Sequence, residues 1–126
     1  MMGALEVGQR LVALCNEGKN LDAINELYAD GVVSVEASDS PDGTPREMAG
    51  IEAVRGKNEW WVENHEIHGG SVEGPFMHGD DRFAAIFHFD VTSKPMGNQR
   101  MQLHEVGVFT VDGGKVVREE FYYTMM

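Results

Sequence analysis

The sequence predicts an α+β fold in which three N-terminal helices pack on a strongly curved mixed or antiparallel sheet, a cone-shaped barrel with an internal pocket. Apolar residues recur at helical spacing in the first half of the chain and at every second position after Gly69 and Gly70. Short turns between consecutive strands indicate antiparallel hairpins, so the helices gather on one face of the sheet. The 126 residues show no repeat or linker and predict a single domain, 1–126.

Glycines and capping residues delimit the predicted helices. The first helix covers residues 4–17 and ends at Gly18, which favours the left-handed conformation of a helix end. The second covers residues 21–29, with Asn20 as its N-cap and Gly31 beyond its end. The third covers residues 51–65, where apolar side chains again share one face.

The predicted strands are separated by segments rich in turn-forming residues. Residues 38–49 contain Ser, Asp, Pro and Gly in close succession and predict an irregular loop. Asp112, Gly113 and Gly114 predict a tight hairpin turn between the last two strands. The strands are expected at residues 32–37, 71–78, 82–93, 99–111 and 115–125.

Composition excludes several classes of function. The formal net charge is −11, from 10 Lys and Arg against 21 Asp and Glu, so nucleic acids and anionic membranes are not expected partners. Cys15 is the single cysteine, which rules out an intrachain disulfide and favours the cytoplasm. No segment has the pattern of a membrane span or a signal peptide.

The strand predicted at residues 82–93 has one wholly apolar face. Phe83, Ala85, Phe87, Phe89 and Val91 alternate with a more polar set that includes His88 and Asp90. Such an apolar face has to be buried, and we expect it to pack against a second copy of the chain in a homodimer. The face that carries His88 and Asp90 is then expected to lie under the helices.

Four segments together resemble the SnoaL-like branch of the nuclear transport factor two-like superfamily. They are Leu-Tyr-Ala-Asp-Gly at 27–31, Gly-Ile-Glu-Ala-Val at 50–54, residues 108–116 around the Asp-Gly-Gly turn, and Phe-Tyr-Tyr at 121–123. The resemblance covers nearly the whole chain and implies the cone fold described above. It does not imply one activity, because this fold hosts cyclases, isomerases, hydrolases, dehydratases and non-catalytic binders.

A similarity to limonene epoxide hydrolases suggests which residues face the pocket. Their pocket-facing Arg-x-Asp pair matches His88 and Asp90, and the same register turns alternate residues of the next two strands inward. The resemblance implies two sets of site residues. The catalytic set is His88, Asp90, Glu105, Glu119 and Tyr123, and the ligand-binding set is Trp61, Leu103, Phe109 and Phe121.

This set of residues is suited to proton transfer. Asp90 can orient His88, and carboxyls crowded in an apolar cup have raised pKa values. Tyr123 can donate a hydrogen bond to a developing oxyanion. The catalytic aspartate of limonene epoxide hydrolases matches Phe121 here, which disfavours epoxide hydrolysis.

We therefore expect a cofactor-independent isomerase or cyclase that acts on a small apolar carbonyl compound. No dinucleotide or phosphate motif and no metal-ligand spacing is present, so neither a cofactor nor a metal is expected. The alternative is a non-catalytic ligand-binding or assembly module of the same fold. In that case the inward polar residues form a network that positions the strands.

Overall fold

The computed structural model describes residues 2–124 of the chain. Three helices and six strands make up this part of the protein. The helices are α1 (Ala4–Asn16), α2 (Asn20–Leu27) and α3 (Ile51–Asn64). The strands are β1 (Tyr28–Val35), β2 (Glu47–Ala49), β3 (His65–His78), β4 (Arg82–Ser93), β5 (Gln99–Asp112) and β6 (Lys115–Tyr122).

The six strands form one mixed sheet in the order β2-β1-β6-β5-β4-β3. Strands β1 and β6 are parallel, and the other neighbours are antiparallel. The predicted α+β fold of three helices on a sheet is confirmed. The sheet is open, with β2 and β3 as its edges, rather than a closed barrel.

The helices cover one face of the sheet because each has an apolar side. Val7 and Leu11 of α1, Leu27 of α2 and Val54 of α3 are all at most 2% exposed. Helix α1 also comes very close to the sheet at Gly8. A Cβ atom there would lie 2.8 Å from Cβ of Pro75 in β3, so only glycine fits without displacement.

Three element boundaries differ from the prediction. Tyr28 begins β1 instead of extending the second helix, and β2 lies inside the predicted loop, where it pairs with β1. Strand β3 begins at His65, before Gly69 and Gly70, because its long ladder with β4 continues through bulges on both sides of that region. The predicted end of the last strand, Met125, lies outside the described residues.

The Asp112-Gly113-Gly114 turn is confirmed. Asp112 pairs with Lys115, and the two glycines between them have φ angles of 61° and 78°. A two-residue turn with both φ angles positive matches the right-handed twist of the strands that it joins.

The predicted orientation of β4 is wrong. Phe83 lies opposite Phe109 of β5 and Phe87 lies opposite Glu105, and opposed residues of an antiparallel pair point to the same face. Phe83 and Phe109 are at most 1% exposed and stack under the helices at 4.9 Å between ring centroids. The phenylalanine stripe is therefore part of the core, and His88 and Asp90 lie on the outer face of the sheet.

Within residues 2–124, none of the helices combines the length and the apolar character that a membrane crossing requires.

Candidate active site

The helix-covered face of the sheet brings together three of the five predicted catalytic residues. Glu105, Glu119 and Tyr123 lie on this side with Phe121 and Trp61, whereas His88 and Asp90 do not. The strand register explains this grouping. Glu119 lies opposite Phe109 and Glu105 lies opposite Phe87, and both phenylalanines point toward the helices.

Glu119 is the most deeply buried carboxyl of this site. Glu119 is only 3% exposed. Its carboxyl group accepts hydrogen bonds from the hydroxyl of Tyr28 and from the hydroxyl of Ser34, the latter at 2.9 Å. Burial raises the pKa of Glu119, although Lys57 and the two hydroxyl donors act in the opposite direction. The network therefore joins α3, β1 and β6 around one carboxyl group.

Lys57 supplies the positive charge next to these carboxyls. Its Nζ atom donates hydrogen bonds to Oγ of Ser34 at 2.6 Å and to Oε1 of Glu36 at 2.7 Å. The same atom lies 5.3 Å from the centroid of the Phe121 ring, a cation–π contact. The ammonium group is thus held by an oxygen pair and an aromatic face.

Glu105 is the carboxyl best suited to exchange a proton near neutral pH. Burial raises its pKa to about 7, and the charges of Glu36 and Glu119 act in the same direction, while Lys57 opposes them. Within residues 2–124, no hydrogen bond to the Glu105 carboxyl is found. Its oxygens are therefore not engaged by the described residues, unlike those of Glu119.

Glu105 and Glu119, together with Tyr28, Ser34, Glu36 and Lys57, form what we call the inner cluster. Tyr123 connects this cluster to an open cleft. Its hydroxyl donates a hydrogen bond to Oε2 of Glu36 at 2.9 Å, and burial followed by the Glu36 charge raises its pKa. The cleft has a volume of about 530 Å³ and is lined by Glu36, Phe121, Tyr123 and Arg46, among others. Glu36 and Tyr123 can therefore be reached from solvent.

Aromatic side chains form a continuous wall beside Glu105. Trp61 lies 5.4 Å from Phe89, Phe89 lies 6.2 Å from Phe87, and Phe87 lies 6.3 Å from Phe121, measured between ring centroids. Three predicted ligand-binding residues, Trp61, Leu103 and Phe121, are partly exposed on this side. The fourth, Phe109, is 1% exposed and serves the core.

His88 and Asp90 belong to a different set of contacts on the outer face. The two ring nitrogens of His88 lie 2.7 Å from Nδ1 of His104 and 2.6 Å from Oε1 of Glu73. Asp90 accepts two hydrogen bonds from Arg100, at 3.0 and 2.8 Å, which lower the pKa of its carboxyl. The predicted Asp90–His88 pair does not form, because each residue is engaged by a neighbouring strand.

Four members of the inner cluster were absent from the prediction. They are Tyr28, Ser34, Glu36 and Lys57. The sequence could have indicated Lys57, because it follows Ile51 and Val54 at intervals of three and therefore shares the apolar side of α3 with them. The contribution of β1 had no comparable signal in the sequence, because β1 pairs with β6, and Ser34 and Glu119 are 85 positions apart.

Neither a metal site nor a reactive thiol is indicated here. Among the residues that the structure describes, no group of three or more His, Cys, Asp and Glu side chains is arranged to hold a metal ion. Burial raises the pKa of the Cys15 thiol to about 12, so it is protonated at neutral pH.

The sequence matches the family model of SnoaL-like domains over residues 2–123. The chain belongs to this family. No curated protein matches it. A solved structure from Mesorhizobium loti, named as a candidate SnoaL-like polyketide cyclase with carbohydrate phosphatase as a second name, is 44% identical. It superimposes with a TM-score of 0.86, and the match covers 94% of this chain and 97% of that one.

Two more distant structures share the fold. A candidate polyketide cyclase from Pseudomonas putida is 20% identical, with a TM-score of 0.71 and coverage of 99% of this chain and 94% of that one. A protein from Catenulispora acidiphila with a ketosteroid isomerase-like fold, in complex with trimethylamine, is 18% identical, with a TM-score of 0.70 and coverage of 97% and 88%. The SnoaL-like family and its cone fold are thus those that the sequence predicted.

Proposed function

We propose that this protein is a cofactor-independent isomerase or cyclase that moves a proton on a small apolar carbonyl compound, with Glu105 as the acid and base. The observation that carries the proposal is a carboxyl with a pKa of about 7, without an internal hydrogen bond, beside an aromatic wall. A general acid or base is most efficient when its pKa lies near the working pH. The names of the Mesorhizobium loti and Pseudomonas putida relatives, both candidate cyclases, support the same class of reaction.

The proposed step uses both protonation states of Glu105. The ionised carboxylate takes a proton from the carbon next to the substrate carbonyl, and the electron pair of that C–H bond moves onto the carbonyl oxygen. In an isomerisation, the protonated carboxyl returns the proton to another carbon of a conjugated enolate. In a cyclisation, the enolate carbon attacks a second carbonyl, the π electrons of that carbonyl move onto its oxygen, and the protonated carboxyl gives its proton to the alkoxide that forms. Tyr123 is the proposed donor to the enolate oxygen, exchanging its bond to Glu36 for one to the substrate.

Hydrogen exchange in heavy water tests this proposal without knowledge of the natural substrate. Small ketones such as cyclohexanone and 2-acetylnaphthalene are incubated with the protein in D₂O, and loss of the α-proton signal is followed by NMR. We expect Glu105→Gln to lower the protein-dependent exchange rate by about 100-fold or more, the usual contribution of a positioned base. Glu59→Gln, on the exposed side of α3, removes the same charge and should leave the rate unchanged.

Two outcomes would count against the enzyme. An unchanged exchange rate in Glu105→Gln would remove Glu105 from the mechanism. If no ketone exchanges faster with the protein than without it, although one stabilises the fold, the ligand-binding module becomes the better assignment. The trimethylamine bound to the Catenulispora acidiphila relative supports that second candidate, since small-molecule binding on this fold does not require turnover.

Phosphatase chemistry, suggested by the second name of the Mesorhizobium loti relative, is not part of the proposal. Lys57 is the cation of the inner cluster, and Glu36 and Ser34 already engage it. Phosphoryl transfer depends on cations that face the phosphate oxygens.

We also propose a homodimer, but through a different surface from the phenylalanine stripe. The outer face of the sheet carries half-buried Ile86 and Val108 at its centre, with Phe76 and Tyr122 50% and 55% exposed nearby. A sheet face with this apolar content favours cover by a second copy. Sedimentation at micromolar concentration should give twice the mass of one chain, and Ile86→Arg should give the single mass; a monomeric wild-type chain would refute the proposal.

A cytoplasmic location also remains a proposal, supported by the single cysteine. Cell fractionation tests it, and recovery of the protein outside the cytoplasmic fraction would contradict it.

A further inference from the structure

We propose that the inner site selects its ligand by charge: it accepts an uncharged carbonyl compound or an organic cation and rejects carboxylates and phosphates. This inference deepens the proposed function, and it rests on that proposal only in placing the ligand beside Glu105. It concerns binding, so it also applies if the protein does not catalyse a reaction.

The inner cluster holds more acidic groups than basic ones. Among residues 2–124, the carboxyl groups of Glu36, Glu105 and Glu119 lie around the ammonium group of Lys57. An ionised ligand carboxylate would add a fourth acidic group to this set. Because the cluster is largely buried, such like charges interact more strongly than they would in water.

Lys57 is already engaged by groups of its own chain. Its Nζ atom donates hydrogen bonds to Oγ of Ser34 and Oε1 of Glu36 at 2.7 Å or shorter, and it lies 5.3 Å from the centroid of the Phe121 ring. An anionic ligand would have to compete with the negative charge of Glu36 for this ammonium group. Loss of the Glu36 contact would leave that carboxylate beside the incoming negative charge.

The arginine that lines the cleft is also neutralised by its own chain. The Nε atom of Arg46 lies 3.1 Å from Oδ1 of Asp39, and the backbone N–H of Arg46 donates to the same oxygen at 2.9 Å. Arg46 is therefore matched by a carboxylate of the same chain.

The remaining surface of the site favours ligands without negative charge. The aromatic wall from Trp61 to Phe121 offers ring faces, which attract apolar groups and cations and repel anions. Glu105 can bind either an uncharged carbonyl compound or an organic cation. Protonated, it donates a hydrogen bond to a carbonyl oxygen, and ionised, it pairs with an ammonium group.

Three probes that share one ring system test the selection directly. They are 2-acetylnaphthalene, which is uncharged, 1-(2-naphthyl)ethylamine, which is a cation at pH 7.5, and 2-naphthoate, which is an anion. Dissociation constants are measured by NMR titration of the intact protein at pH 7.5. One uncompensated like charge in a partly buried site predicts that naphthoate binds about 10- to 100-fold more weakly than the ketone.

Matched variants assign the effect to the cluster. Glu105→Gln should bring the affinity of naphthoate closer to that of the ketone, whereas Glu59→Gln, which removes an exposed charge from α3, should leave the ratio unchanged. Equal affinities for all three probes, no binding of any of them, or an unchanged ratio in Glu105→Gln would overturn the proposal. Normal exchange activity in Glu105→Gln would refute the proposed function alone, so the two failures are distinguishable.

Discussion

Glu105 should make the stability of this protein depend on pH in the opposite direction from an ordinary ion-paired carboxyl. Its pKa is about 7 in the folded protein, against an ordinary value of 4.5. Between these two values the folded state binds more protons than the unfolded state, so the free energy of unfolding falls as pH rises. The variant Glu105→Gln has the shape of the protonated side chain and should abolish this loss.

The structure sets the size of the effect. The rise in the pKa of Glu105 from 4.5 to about 7 corresponds to at most about 3 kcal/mol when the carboxyl is fully ionised. The same two pKa values give a cost of about 1 kcal/mol at pH 5.5 and about 3 kcal/mol at pH 8.5. The advantage of Glu105→Gln over the wild type should thus grow by about 2 kcal/mol across this range.

Urea unfolding at pH 5.5 and pH 8.5 measures this difference. Both pH values lie above the sequence pI of 4.7, the pH at which solubility is lowest. Glu59→Gln serves as the control, because an exposed glutamate on α3 should show no comparable growth. If Glu105→Gln changes stability equally at both pH values, the carboxyl is not held protonated by its surroundings. The same result would weaken its proposed role as an acid and base.

Three further predictions test the packing around the site. Gly8→Ala should destabilise the fold by about 1–3 kcal/mol, because its Cβ atom would lie 2.8 Å from Pro75. Gly56→Ala has open space around it in α3 and should stabilise the fold by up to about 1 kcal/mol. Urea midpoints that move in the same direction for both variants would contradict this packing. Cys15, whose pKa burial raises to about 12, should resist iodoacetamide at pH 8 in the folded protein and react after unfolding, and rapid alkylation of the native protein would show that the thiol is accessible. Tyr28→Phe removes a buried hydrogen-bond donor to Glu119 and should destabilise the fold by about 1–3 kcal/mol. The loss of stability should be larger at pH 8.5 than at pH 5.5. Equal losses of stability at the two pH values would show that the Glu119 carboxyl is not the affected group.

Local patterns carried most of the fold prediction. The helical spacing of Leu11 and Leu14, the alternation along β4 and the Asp-Gly-Gly turn all depend on residues a few positions apart. Boundaries failed where a distant partner overrides local preference. Tyr28 could continue a helix, but it pairs with Val116 in a parallel ladder and therefore begins a strand.

The candidate site was only partly predictable for a related reason. Glu105 of β5, Glu119 of β6 and Tyr123, which directly follows β6, lie on the helix-covered side, because alternation along the two strands turns Glu105 and Glu119 to one face. His88 and Asp90 were misplaced because period-two alternation states which residues share a face, but not which face the helices cover.

The sequence by itself determined the class of fold, the helix and strand content and the pairing of residues into faces, since these follow from short-range periodicity and turn chemistry. Only the tertiary structure decided which face of β4 is buried, because the register against β5 turns all of its side chains at once. It also decided that Lys57 of α3 meets Ser34 of β1 and Glu36, which directly follows β1, beside Glu119 of β6. The burial of Glu105 and the charges around it arise only after the chain has folded, so the raised pKa of Glu105 is a property of the assembled site.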